Sequence, residues 1–179
     1  MCIDNIDSAY DVVNYLIDKG HTKIGYVRGN VRIKAFEDRE TGFRRALYKH
    51  GITPDPQYQI TVGTKTETAL ADMEKWLSKA KTVPTAFFVD NDRISYGVMQ
   101  ALQQAGYNVP DDVSVFGFDD LVFSAACIPP LSTVHVFKQE MGCEAVRRLI
   151  NMMDGNRGVK FKTEVCTSLI ERNSVKNIK

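Results

Sequence analysis

Short apolar runs rich in β-branched and aromatic residues alternate along this chain with amphipathic stretches, and that alternation limits the possible folds more than any single motif. Lys23–Arg28, Gln59–Val62, Thr85–Val89 and Val113–Phe118 are the apolar runs, and Leu131–Val136 reads as a further short one. Between them, Asp7–Lys19, Glu37–Gly51, Glu67–Ala80 and Ile94–Ala105 carry apolar residues at helical spacing, with Gly20, Gly51 and Gly106 as stop signals. Ala9, Val12, Val13, Leu16 and Ile17 share a face in the first of these, and Leu70, Met73, Trp76 and Leu77 in the third. Strand starts recur roughly every 30 residues with a helix between, which is the rhythm of βαβ units in a parallel sheet. Strands apolar on both sides require helices on both faces. The expected fold is therefore α/β: three layers, with a parallel sheet between two layers of helices. Met141–Met153 adds a last helix and Lys162–Ile170 a last strand.

Chain order then fixes where chemistry collects. The turns that follow the strands, Gly29–Asp38, Gly63–Thr66, Asp90–Asp92 and Asp119–Asp120, must gather along one edge of the sheet, where open α/β sheets bind ligands. Their polar residues are Arg32, Lys34, Arg39, Lys65, Asn91, Asp92 and Asp119. Arginine, asparagine and aspartate together offer fixed donors and acceptors, a mixture that a polyhydroxyl ligand such as a sugar matches. No glycine-rich phosphate loop occurs. Asp90, Asp92, Asp119 and Asp120 are the carboxylates an enzyme or metal site would need, but no nucleophile–base pair accompanies them. The expectation is a binding protein that is not an enzyme and has no cofactor and no metal.

Composition narrows the partners. The 179 residues hold 23 basic and 22 acidic side chains, so a nucleic-acid surface is not indicated; Arg44-Arg45 and Arg147-Arg148 read as solvated helix faces. Cys2, Cys127, Cys143 and Cys166 show no CxxC spacing, the three histidines are dispersed, and reduced thiols are expected. The N-terminus lacks a basic segment leading into an apolar run, and no apolar stretch nears the roughly 18–20 residues that span a bilayer. A cytoplasmic protein with no membrane partner is expected.

At DNIDSAYDVVNYLIDKGHTKIGYVRG (Asp4–Gly29), DRETGFRRAL (Asp38–Leu47), PTAFFVDNDRISYGVMQAL (Pro84–Leu102), VPDDVSVFGFDDL (Val109–Leu121) and PPLSTVHVFKQEMGCEAVRRL (Pro129–Leu149), the chain resembles the effector-binding domain of the LacI/GalR family of transcriptional regulators. LIERNSV (Leu169–Val175) resembles that family's closing strand. The resemblance implies two α/β lobes with the effector in the cleft between them. Residues 1–136 and 164–179 would be the C-terminal lobe and 137–163 a remnant of the N-terminal lobe, most of which, with the DNA-binding headpiece, would lie outside this chain. It implies a sugar or sugar derivative as effector, operator DNA bound only through the missing headpiece, and a homodimer. A sugar-transport binding protein of related fold is the alternative.

Carried over residue by residue, the resemblance makes Arg39 the fork for ligand hydroxyls or carboxylates and Asp119 an acceptor for hydroxyls. Asn91 becomes a polar contact, and Asp4 a residue of ligand or hinge. Lys65 takes a place where several members carry a stacking aromatic. Tyr96, Phe123 and Cys127 would lie near a two-fold dimer axis, within and beside an apolar loop, Leu121–Ile128. Plainer roles compete: Arg39 as a surface partner of Glu37 or Glu40, Asp119 as a turn cap, Asn91 as a helix N-cap, Lys65 in water, Phe36 and Trp76 as packing residues, and His21 bonded to backbone. The helix Met141–Met153, parted from its lobe, is expected to dock on its own lobe, swap onto a second chain or be poorly ordered.

Overall fold

The computed structural model describes residues 1–153 and 160–179; positions 154–159 of the expected first-lobe segment lie outside the described residues. In chain order the elements are β1 (Cys2–Ile3), α1 (Asn5–Asp18), β2 (Ile24–Gly29), α2 (Lys34–Lys49), β3 (Gln59–Val62) and α3 (Thr66–Leu77). They continue with β4 (Ala86–Val89), α4 (Asp92–Gln104), β5 (Ser114–Phe116), β6 (Thr133–His135), α5 (Lys138–Met153), β7 (Glu164–Val165) and β8 (Ser168–Ile170). Single 3-10 turns cover Pro56–Tyr58 and Val122–Ala125.

Four parallel strands run in the order β3-β2-β4-β5. Backbone bonds from Gly117 N to Ser132 O (2.9 Å) and from Asp119 N to Val134 O (3.0 Å) carry the sheet on to β6, which pairs antiparallel with β8. β1 and β7 form a separate parallel pair, Cys2 opposite Glu164. The Lys162–Ile170 run is thus two short strands with different partners rather than one. It changes neighbour between Val165 and Ser168, which no periodicity marks.

The period of two along each strand divides the interior into two cores. Ala86 and Phe88 of β4 join Ile24, Tyr26 and Phe116 beneath α1 and α2, which supply Val12, Leu16, Phe43 and Leu47. Phe87 and Val89 join Val27, Val62 and Val115 beneath α3 and α4, which supply Met73, Ile94, Val98 and Leu102. Tyr26, Phe43, Phe87, Phe88 and Phe116 are wholly enclosed; burying a side chain of this size contributes about 1.5–3 kcal/mol. Each helical layer closes over a glycine. A Cβ on Gly42 of α2 would stand 2.1 Å from the Ile6 carbonyl oxygen of α1, and one on Gly97 of α4 2.4 Å from that of Thr66 in α3. Trp76 packs edge-on to Phe87 at 5.9 Å, as a partly buried rim of the second core. His21 is buried, its ring bonded to Thr85 Oγ1 (3.0 Å) and the Lys176 carbonyl (3.1 Å).

α5 stands apart from both layers. It buries no residue, and Val146, Leu149, Ile150 and Met153 are 51–71% exposed; only Met141 at its base packs against the first core. Docking on its own lobe, one of the expected outcomes, is not what the chain does. Among the described residues no helix is long and apolar enough to cross a membrane.

Candidate functional site

The site is built where β2, β4 and β5 end. Arg39 leads into it from the second turn of α2, which starts at Lys34, earlier than the sequence pattern implied. The side chain is nearly enclosed (4% exposed) and does not pair with Glu37 or Glu40. Its Nε donates to Asn5 Oδ1 (2.9 Å), one terminal nitrogen donates to the Asp90 carbonyl, and the other faces Asp119 Oδ1 at 3.6 Å. The guanidinium plane lies 3.6 Å above the Phe118 ring, a cation–π contact that fixes its direction. Burial lowers the pKa of this guanidinium, with Asp119 the first of the opposing influences.

Asp119 and Asp120 both take positive φ, 110° and 47°. For non-glycine residues such a conformation costs on the order of 1–3 kcal/mol and persists only when the surroundings impose it. The surroundings do so here. The Asp119 amide is held by Val134 O, and the Asp120 carboxylate is clamped between Arg172 (2.8 Å) and His135 Nδ1 (2.7 Å). Asp120 is consequently a structural lock whose pKa is lowered by those bonds against burial. The Asp119 carboxyl is left at the cleft edge, its pKa raised by burial against the pull of Arg39.

The neighbouring acids are committed to the scaffold. Asp90 accepts from the Tyr26 hydroxyl and from the Gly29 amide (2.8 Å), and burial pushes it up to about 6. Asp92 accepts from Leu121 N (2.8 Å), Ser124 Oγ (2.6 Å) and Thr133 Oγ1 (2.6 Å); burial raises its pKa as well. Four carboxylates that look alike in sequence thus have separate duties, and among the described residues no group of three His, Cys, Asp or Glu side chains is placed to hold a metal.

The remaining candidates divide. Asp4 caps α1, its Oδ1 accepting from the Asp7 amide (3.1 Å). Asn91 caps α4, accepting from Ile94 N (2.9 Å), directly after the Asp90 carbonyl that Arg39 grips. Lys65 is exposed at the N-cap of α3, and among the described residues no hydrogen bond or ion pair joins its side chain to the others. Sequence reasoning missed Asn5, whose side chain bridges Ile3 O (3.1 Å) and Arg39. It also missed Asp92 as the hub of the loop; its only signal was the polar triplet closing an apolar strand. A cavity of about 350 Å³ lies beside Asp119, walled by Ile3, Leu121, Val136, Lys138 and Met141.

A second feature occupies the α3–α4 side. Tyr96 bonds Ser124 Oγ (2.8 Å) and meets Phe123 edge-on at 5.1 Å. Phe123 is 57% exposed, Val122 96% and Ile128 92%. Cys127 is a half-buried free thiol 3.3 Å from the Ser124 and Pro129 carbonyls. A depression of about 400 Å³ runs along these residues past Met99 and Gln100.

Comparison with known proteins identifies the fold and the family. The periplasmic binding protein-like domain matches residues 13–175. The HTH-type transcriptional repressor PurR of Vibrio vulnificus (strain CMCP6) is 33% identical over 177 residues, covering 98% of this chain and 53% of the repressor. The sugar-binding LacI-family transcriptional regulator from Escherichia coli, crystallised with phosphate, superposes with a TM-score of 0.88 at 30% identity, over 98% of this chain and 62% of that one. The Lac repressor dimer bound to operator and the anti-inducer ONPF superposes with a TM-score of 0.90 at 27% identity, over 97% of this chain and 59% of that one. The chain spans about half the length of the curated relatives it matches. It belongs to the periplasmic binding protein-like domain family, in the form carried by LacI-type transcriptional regulators.

Proposed function

We propose that this chain is the effector-sensing portion of a cytoplasmic, homodimeric LacI-type regulator that recognises a sugar or sugar derivative between Arg39, Asp119 and Asn91. The observation that carries the reading is Arg39 itself: a guanidinium 4% exposed, aimed along the carboxyl edge of the sheet by Asn5 and the Asp90 carbonyl. Such a preorganised fork loses little entropy when it meets a ligand oxygen. Asp119 supplies the acceptor, and Asp4 and the β1–β7 pair form the crossing to a second lobe. In this reading residues 1–136 and 164–179 make one lobe and 137–163 belong to the other. Operator DNA is reached through a headpiece outside this chain, and ligand shifts DNA affinity by preferring one lobe arrangement. The exposed Val122, Phe123 and Ile128 beside Tyr96 and Cys127 are the dimer face.

The sugar-binding and the operator-bound transcriptional regulators among the structural neighbours support this reading over a transport protein. The test is operator binding by a longer regulator that carries this sequence, measured with and without a panel of sugars. A sugar that changes operator affinity at least tenfold, with the change lost in Arg39→Ala, supports the reading. A change that survives Arg39→Ala contradicts it.

A further inference from the structure

Arg39 takes its direction from two oxygens that belong to different parts of the molecule. The Asp90 carbonyl stands directly after β4, in the parallel sheet. Asn5 is the first residue of α1 and follows β1, which pairs with β7 outside that sheet. The Asn5 side chain is buried and makes a bond at each end. Its Oδ1 accepts from Arg39 Nε (2.9 Å), and its Nδ2 donates to Ile3 O (3.1 Å). The two bonds settle which end of the amide is oxygen, because a guanidinium only donates and a carbonyl only accepts.

The second bond reaches the outer side of β1. That strand donates to β7 from Cys2 N (to Thr163 O, 2.9 Å) and the next bond leaves from Asp4 N (to Val165 O, 3.1 Å). The carbonyl of Ile3, between them, therefore faces away from β7. Asn5 spans from there to the guanidinium. Two other ties run from the expected crossing segments into the lobe and end elsewhere. Lys138 Nζ donates to the Asp119 carbonyl rather than to its carboxylate. The Thr167 hydroxyl donates to Ser8 Oγ (2.7 Å), whose own proton goes to the Asp4 carbonyl. Asn5 differs in ending on a side chain of the candidate site. It is also the residue type that the place requires: aspartate has no proton for Ile3 O, and leucine fills similar space with neither bond.

Resting on the reading of this cleft as the effector site, and of β1 and β7 as strands that cross to a second lobe, we propose that Asn5 is a positioning residue for that site. It holds the Arg39 fork at Nε and makes the direction of the fork follow the position of β1. When β1 shifts, Ile3 O moves and the amide turns with it. The Nε end of the guanidinium follows while the Nη1 end stays on the Asp90 carbonyl, so the fork swings relative to Asp119. A ligand that fixes Arg39 resists the same shift of β1, because linkage is reciprocal.

The test is an NMR double-mutant cycle on this chain without ligand, read at the Arg39 Nε–H signal. Cys2→Pro removes the N–H that joins β1 to Thr163 and touches neither Asn5 nor Arg39. In the parent it should shift the Arg39 signal and leave the amides of Val27 and Phe88 where they were. Asn5→Leu should speed solvent exchange of Arg39 Nε–H by on the order of tenfold, as loss of one hydrogen bond to a charged group implies, and should abolish the response to Cys2→Pro. Asn5→Asp separates the two bonds. Slow exchange should return, because a carboxylate accepts from Nε, while the response to Cys2→Pro stays absent, because a carboxylate cannot donate to Ile3 O. An Arg39 signal indifferent to Cys2→Pro in the parent, or equally responsive in the Asn5→Leu and Asn5→Asp backgrounds, overturns the proposal. So does exchange left unchanged by Asn5→Leu. No sugar takes part, so failure here leaves the effector reading to its own operator test.

Discussion

α2 and α5 are both sixteen-residue amphipathic helices, and they end in opposite circumstances. α2 buries Phe43, Ala46 and Leu47 against the sheet and lets Gly42 touch the backbone of α1; α5 has an apolar face of similar pattern and buries nothing. Spacing of apolar residues says that a helix has a face to cover. It does not say whether the cover belongs to the same stretch of chain. The helices that follow strands of the parallel sheet are covered because each βαβ crossover returns them to it. α5 follows β6, whose neighbour β8 is antiparallel, so no such crossover brings it back.

Substitutions should reproduce that contrast. Phe88→Ala, in the core shared by α1 and α2, should cost about 3–5 kcal/mol in urea unfolding. Leu149→Ala on α5 should cost less than about 0.5 kcal/mol; a large loss there would show that α5 docks after all. Asp92→Ala strips the acceptor from three donors that tie the 121–124 loop to β6. It should cost about 2–4 kcal/mol, since two of those donor hydroxyls are buried with it. Asn at this position should recover part of the loss.

Acid titration sharpens the contrast further, because the cleft edge holds buried acids and α5 holds none. Asp90 is raised to about 6 by burial, against the pull of Tyr26 and Gly29. The folded state therefore keeps this proton from about pH 4 to pH 6 while the unfolded chain has lost it, so this group makes stability fall as pH rises through that window. Asp92 and Asp119, also raised, act in the same sense, whereas His21, lowered by burial, acts in the opposite one. Asp90→Asn should flatten the decline between pH 4.5 and 6.5 by on the order of 1–3 kcal/mol relative to the parent. An unchanged slope would remove Asp90 as its source. The smallest effect on folding belongs to Phe123→Ser, expected within about 0.5 kcal/mol by unfolding but raising the dissociation constant of self-association at least tenfold by sedimentation.

The layered fold was legible because each strand run and each helical face repeats its own period, and the periods agree with one another. The helix starts were less so. α2 opens at Lys34 without a side-chain cap, and nothing in VRIKAF marks that point. At the candidate site, the family resemblance around Gly42 and after Gly117-Phe118 singled out Arg39 and Asp119, which the fold brings to 3.6 Å of one another. Asn5 could not be singled out, because its value lies in a 2.9 Å contact with a residue 34 positions away. The four aspartates after β4 and β5 were equally opaque. Their separate fates are set by which donors the fold delivers, Tyr26 to one, Ser124 and Thr133 to another, Arg172 and His135 to a third. The switch of partner between β7 and β8 left no trace in composition at all.

The most direct measurement is a thermal-shift titration of this chain with sugars and sugar acids, run in parallel on Arg39→Lys and Asp119→Ala. Ligand bound to the folded chain raises the midpoint by mass action. A rise in the parent that disappears in both variants is the predicted result, because Lys keeps the charge of Arg39 and loses its fork. A rise that persists unchanged in both would place the ligand elsewhere and contradict the assignment of the effector site to the carboxyl edge of the sheet.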